Sequence, residues 1–248
     1  MKICFCATEN LYEKLAIVIT SLLHYNPNIE TIYLCLEHDE WSYIKDNRIK
    51  VINVSKLNLD ISKTNPNLKR FCTYMSLVRA YLPIILKDED KVISADCDII
   101  FNGNIEEAWN WNLNGNYAAA VPEWKKSFDI DTTKCNFPYV NVGFTVMNLK
   151  LMREDHIAEL MSDLMNVVDL GWPDQDALNI ICKDHISLLP YKYNSNYYTG
   201  ISETPIIIHG TPIKPWIPDG PYWSIWQHYE EMYKNEYSTK AGGKNSYE

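Results

Sequence analysis

Three short runs rich in apolar and β-branched residues, Lys2–Ala7, Thr31–Leu36 and 50–54, open the chain, and a helix-periodic segment at 15–25 separates the first two. Apolar runs of this length suit strands buried on both faces, and helical crossovers join such strands into a parallel sheet. The polar stretch 41–48 leaves room for another helix before the third run. The alternation then continues. Residues 73–86 carry a helical pattern, Asp88-Glu89-Asp90 is a turn, and 91–95 is a strand. Farther on, 140–149 reads as a strand and 155–168 as a helix, while Trp172-Pro173-Asp174-Gln175-Asp176 opens a helix reaching about residue 182. The pattern predicts an α/β chain: a Rossmann-like, mixed, mostly parallel sheet flanked by helices in a single domain.

With 248 residues, 46% of them hydrophobic, the chain can bury one sizeable core. No repeat or linker divides it, so 1–240 is expected to form the domain and 241–248 a disordered tail. No uninterrupted apolar run approaches the ~18–20 residues of a membrane-spanning helix, and the N-terminus lacks a signal-peptide pattern, which makes a cytoplasmic setting the expectation. A formal charge of −9 disfavours nucleic acid and anionic lipid as partners. The densest basic groups, Lys69-Arg70 and Lys125-Lys126, are only pairs. The seven cysteines (4, 6, 35, 72, 97, 135 and 182) have neither the spacing of a zinc site nor the density of a disulfide scaffold, and they read as reduced thiols. Cys4 and Cys6, two apart in a strand, point to one face and are expected to pack in the core.

Chemistry concentrates at Asp96-Cys97-Asp98, where a buried strand ends. In open α/β sheets ligands bind beyond the carboxyl ends of the strands. Two carboxylates at i and i+2 repel one another and pay for burial unless a positive charge holds them, and a hard divalent cation is the simplest remedy. Taken alone, the motif reads more readily as a solvated acidic turn. His209 closes a second apolar run, Pro205-Ile206-Ile207-Ile208, where an imidazole brought beside the aspartates would complete a mixed O/N site. Lys214 follows closely and could meet a phosphate as a point charge. Past Pro190 the chain is dense in tyrosine and tryptophan, side chains suited to stacking against a sugar or to docking on the core.

Six segments, in order, resemble glycosyltransferase family 8, whose members are retaining enzymes of the GT-A fold. They are Ala7-Thr8-Glu9-Asn10; Arg79-Ala80-Tyr81-Leu82-Pro83; Asp90-Lys91-Val92 through Asp96-Cys97-Asp98; Asn141-Val142-Gly143 through Asn148-Leu149-Lys150; Asp174-Gln175-Asp176-Ala177-Leu178-Asn179; and His209 through Lys214-Pro215-Trp216. The resemblance implies a metal-dependent hexosyltransferase that uses UDP-glucose or UDP-galactose and a glycan or other hydroxyl acceptor. It implies Mn²⁺, or Mg²⁺ in its place, held by Asp96, Asp98 and His209. Cys6, Ala7, Thr8, Asn10, Arg79, Asp96, Cys97, Asn141, Gly210 and Lys214 would contact the donor, and Asp174 and Gln175 would serve at the transferring sugar. The chain departs from the family pattern in three places. Thr8 replaces an acidic residue, Leu11 stands where an aromatic residue stacks on the base, and the segment from His209 to Lys214 is one residue short. Two other readings carry the same residues: a catalytically inactive sugar-nucleotide-binding protein, and a metal-dependent phosphohydrolase built on Asp96 and Asp98.

Overall fold

The computed structural model describes residues 1–62, 64–68, 73–124 and 138–238. Cys72, Cys135, the two basic pairs and the tail expected at 241–248 lie outside these residues. In chain order, strand β1 (Lys2–Ala7) leads to helix α1 (Tyr12–Tyr25), followed by β2 (Thr31–Leu36) and β3 (Ile49–Asn53). Short helices α2 (Tyr74–Val78) and α3 (Leu82–Ile85) precede β4 (Val92–Ala95), β5 (Ile99–Phe101), α4 (Glu106–Trp109) and β6 (Ala118–Pro122). The second half holds β7 (Val140–Met147), α5 (Leu149–Glu154), α6 (Ile157–Val167), α7 (Pro173–Ile181), β8 (Ile186–Leu188), β9 (Ile207–His209) and α8 (Trp223–Tyr233).

Seven strands form the main sheet in the order β3-β2-β1-β4-β7-β6-β8. Only β7 runs against its neighbours, pairing antiparallel with both β4 and β6. The mostly parallel sheet expected from the alternation of strands and helices is therefore present, and each face carries its own apolar layer. Alternating side chains divide β1 between the layers: Phe5 joins α1 and α8 on one face, whereas Cys4 joins α2, α6 and α7 on the other.

Three segments depart from the sequence reading. The 73–86 pattern forms two short helices joined by a 3₁₀ turn, Arg79–Tyr81, with Pro83 in the first turn of α3. Proline has no N–H to continue a helical ladder, so the break falls just before it. The 41–48 stretch is irregular rather than helical. There Asp46 Oδ1 accepts both the Arg48 N–H and Arg48 Nε at 2.9 Å, a local closure that competes with helix formation. Finally, the strand predicted at 140–149 stops at Met147 because the Asn148 side chain accepts the Leu151 N–H at 3.2 Å and caps α5.

A second, two-stranded sheet pairs β5 with β9, in the register Ile99↔His209 and Ile100↔Ile208. It rests on the α1 side through Phe101, which packs edge-to-face with Phe5 at a centroid distance of 6.4 Å. Truncating this anchor, Phe101→Ala, is expected to cost about 3–5 kcal/mol in urea unfolding, whereas Val167→Ala, at 78% exposure, stays within ~0.5 kcal/mol.

Candidate active site

The segment Asp96-Cys97-Asp98 bridges the two sheets. Asp96 follows β4 and its N–H donates to Gly143 O on β7 at 2.9 Å, while Asp98 precedes β5 and its carbonyl accepts the Gly210 N–H at 2.8 Å. The β5–β9 register then sets His209 beside Asp98. His209 Nε2 lies 3.5 Å from Asp96 Oδ2 and 3.4 Å from Asp98 Oδ1, and one ligand atom from each of the three residues falls within 4.8 Å of the others.

The imidazole is oriented from behind. His209 Nδ1 is 2.8 Å from Asn194 Oδ1, and the Asn194 amide nitrogen donates to Asn141 Oδ1 at 2.8 Å, which leaves its oxygen to accept the ring proton. That assignment puts the Nε2 lone pair toward the two carboxylates, as in a metal-ligating histidine whose other ring nitrogen donates to a neighbouring oxygen. A lone pair facing two carboxylates is repulsive without a cation, so the donor set fits a hard divalent ion of the Mn²⁺ or Mg²⁺ class. Burial opposes the charge of Asp98, and the Lys214 ammonium paired with it favours that charge. Gly143 makes room for the ring: a Cβ at that position would lie 2.2 Å from His209 Cε1.

Around this centre runs a continuous cleft. Arg79 pairs with Asp96, reaches Asp174 Oδ2 at 3.3 Å and donates to Val142 O at 2.9 Å, so one guanidinium ties β4, β7 and the start of α7 together. Lys214 pairs with Asp98. One half of the cleft is lined by Arg79, Asp96, Asn141, Asp174, Gln175 and His209, with Trp172 and Tyr198 at its side. The other half shares Arg79, Asp96, Asp98 and Lys214 and extends over Cys6, Thr8, Asn10, Leu11, Cys97 and Trp216. Of the residues singled out in the sequence, only Ala7 and Gly210 line neither half. Ala7 is fully buried, and Pro215 closes over Gly210, within 2.2 Å of where its Cβ would stand.

The family model for glycosyl transferase family 8 matches residues 2–219. The chain belongs to this family. Glycosyltransferase GlyB of Streptococcus pneumoniae is 26% identical over 256 residues, covering 92% of this chain and 61% of its own length. Lipopolysaccharide 1,3-galactosyltransferase of Salmonella typhimurium is 28% identical over 183 residues, with coverage of 64% and 54%. The chain thus spans less than two thirds of either relative. Among solved structures, the galactosyltransferase LgtC in complex with donor and acceptor sugar analogues superimposes with a TM-score of 0.76 at 19% identity, covering 95% of this chain and 96% of the other. The fold is GT-A.

Within this family member a buried amide network backs the cleft, and part of it escaped the sequence reading. Glu123, just past β6, accepts from Asn141 Nδ2 at 2.7 Å and from Gln175 Nε2 at 3.3 Å. Gln175 Nε2 also donates to the Tyr139 hydroxyl at 3.1 Å, and Tyr139 in turn donates to Asp176. The Gln175 oxygen accepts the Val142 N–H at 3.2 Å, so it faces the β7 backbone. Glu123 carried a readable signal, an acid at the end of the apolar run Ala118–Pro122, like Asp96 after β4. Asn194 carried none: a lone amide in an aromatic-rich loop gains meaning only from what it touches.

Two outcomes follow from this geometry. Gly143→Ala is expected to displace the imidazole, abolishing the downfield Nδ1 proton of His209 bound to Asn194 in NMR spectra. The Glu123 pKa is raised because burial disfavours its charge, against the hydrogen bonds from Asn141 and Gln175. The folded state therefore binds this proton more tightly than the unfolded state, and stability falls as pH rises from the ordinary value of 4.5 through the higher folded one. Glu123→Gln should accordingly match the wild type in urea unfolding at pH 4 and exceed it at pH 8.

Proposed function

We propose that this chain, as one domain over 1–240, is a Mn²⁺-dependent retaining hexosyltransferase that moves glucose or galactose from a UDP-sugar to a hydroxyl of a glycan acceptor. The observation that carries the proposal is the meeting of Asp96, Asp98 and His209 within 4.8 Å, in a cleft that also holds Arg79 and Lys214. Asp96, Asp98 and Asp174 in the half containing Gln175 share two permanent cations, Arg79 and Lys214, which leaves a deficit of positive charge. Asp96, Asp98 and His209 would hold a divalent ion that makes up that deficit and would supply charge to neutralise the departing diphosphate.

The remaining roles fall to the chain's own groups. Lys214, 44% exposed and already paired with Asp98, can swing toward the β-phosphate and stabilise the leaving UDP. Thr8 and Asn10, with Cys6 and Cys97 beneath them, accept the nucleoside, with Leu11 supplying an aliphatic rather than aromatic wall. Arg79 fixes Asp96 and Asp174 at the rim of the sugar pocket. The sugar's anomeric carbon develops oxocarbenium character as its bond to the phosphate breaks. The acceptor hydroxyl attacks on the face the diphosphate leaves and passes its proton to the departing phosphate oxygen. Gln175, its oxygen accepting the Val142 N–H and its amide donating to Glu123 and Tyr139, is a neutral positioning group in the wall of the sugar pocket. Trp172 and Tyr198 at the side of the cleft offer flat surfaces for an acceptor sugar. A cytoplasmic setting accords with the unpaired thiols of Cys4, Cys6 and Cys35. Among the described residues no helix is long and apolar enough to cross a membrane.

Calorimetric titration of UDP-glucose, UDP-galactose and their GDP counterparts, with and without Mn²⁺, tests this reading. Binding of one UDP-sugar should require the metal and weaken at least ~100-fold, about 2.7 kcal/mol, in Asp98→Ala. Binding without turnover on any hydroxyl acceptor would favour the inactive donor-binding protein. Phosphate release with no sugar acceptor would favour the phosphohydrolase.

A further inference from the structure

Away from the aspartates, three thiols gather on one face of the parallel pair β1–β2. Cys4 and Cys6 are two residues apart on β1, so both project to the same side, and the register pairs Cys6 directly with Cys35 on β2. Their three sulfurs lie within 4.8 Å of one another, and Cys4 Sγ and Cys35 Sγ are 3.8 Å apart without a disulfide. Cys4 and Cys35 are fully buried, whereas Cys6 is half-buried and lines the nucleoside half of the cleft together with Met75.

Small aliphatic side chains would fill this layer equally well, but a triangle of sulfurs with one corner open to a cleft has a chemistry that they lack. A cation at the centre of an equilateral sulfur triangle with edges between that 3.8 Å and the 4.8 Å bound would sit about 2.2–2.8 Å from each sulfur, a span that includes the ~2.3 Å of a zinc–thiolate bond. Among the described residues the cluster has three sulfurs and no imidazole or carboxylate, short of the four ligands of structural zinc. Soft thiolate donors in low coordination select Cu⁺ instead. We propose that Cys4, Cys6 and Cys35 form a three-sulfur site for a soft cation of the Cu⁺ class, entered from the cleft through Cys6.

The test is an anaerobic titration of the full chain with Cu⁺ buffered by a chromogenic Cu⁺ chelator, read by chelator absorbance and by X-ray absorption at the copper edge. The wild type should remove one equivalent from the chelator, with three sulfur neighbours at about 2.2–2.3 Å. A Cys4→Val/Cys35→Val variant, with thermal unfolding confirming that it folds, should bind at least ~100-fold more weakly. Cys6→Ser, which keeps both buried thiols, should lose one sulfur from the copper shell, and it serves alone if the double variant does not fold. Failure of the wild type to compete, a shell of two or fewer sulfurs, or undiminished affinity in the variants would overturn the proposal. Neither Mn²⁺ nor a nucleotide sugar enters the assay, so its outcome is independent of the transferase reading.

Discussion

Two carboxylates and an imidazole nitrogen that all present lone pairs to the same point cannot rest there unless something positive joins them. This constraint organises the structure. Asp96 is delivered by the main sheet and His209 by the small β5–β9 sheet, with Asp98 on the short link between them. Arg79 pairs with Asp96 and Lys214 with Asp98, so each carboxylate has one fixed cation beside it. The ring cannot turn away, because Asn194 takes its Nδ1 and Gly143 lies directly beneath it.

The network beyond the first ring of residues explains why so many amides are buried here. Asn141, Gln175 and Asn194 each use both ends of their amide groups, and Asn179 donates to Val140 O at 2.8 Å while accepting the Val140 N–H at 2.7 Å. A buried polar group left without a partner is costly, whereas a fully connected network is rigid. Rigidity suits a site whose charges must already be in place as a leaving group departs, since dipoles fixed beforehand need no reorganisation during the reaction.

Much of this was legible in the chain. The alternation of buried strands and helices yields a mostly parallel sheet, and the strand-end positions of Asp96, Asp98 and His209 mark the cleft. Ordered motifs from Ala7 to Trp216 carry the family. Local closures were harder to read: Pro83 divides the 73–86 helix, and Asp46 keeps 41–48 from becoming one. Hardest were long-range partners. Glu123 reaches Gln175 across 52 residues of sequence and Asn194 reaches Asn141 across 53, contacts that exist only once β6, β7 and the aromatic loop have folded together. Ala7 and Gly210, marked for the donor by motif position, line neither half of the cleft, Ala7 being buried and Gly210 lying under Pro215.

The central claim, that Asp96, Asp98 and His209 together hold the metal, is tested most directly by electron spin-echo spectroscopy of the Mn²⁺-loaded protein. The account predicts nitrogen modulation from one directly bound imidazole, retained in the wild type and absent from His209→Ala. Mn²⁺ bound with no imidazole nitrogen in its shell, or a nitrogen signal that survives His209→Ala, would contradict it.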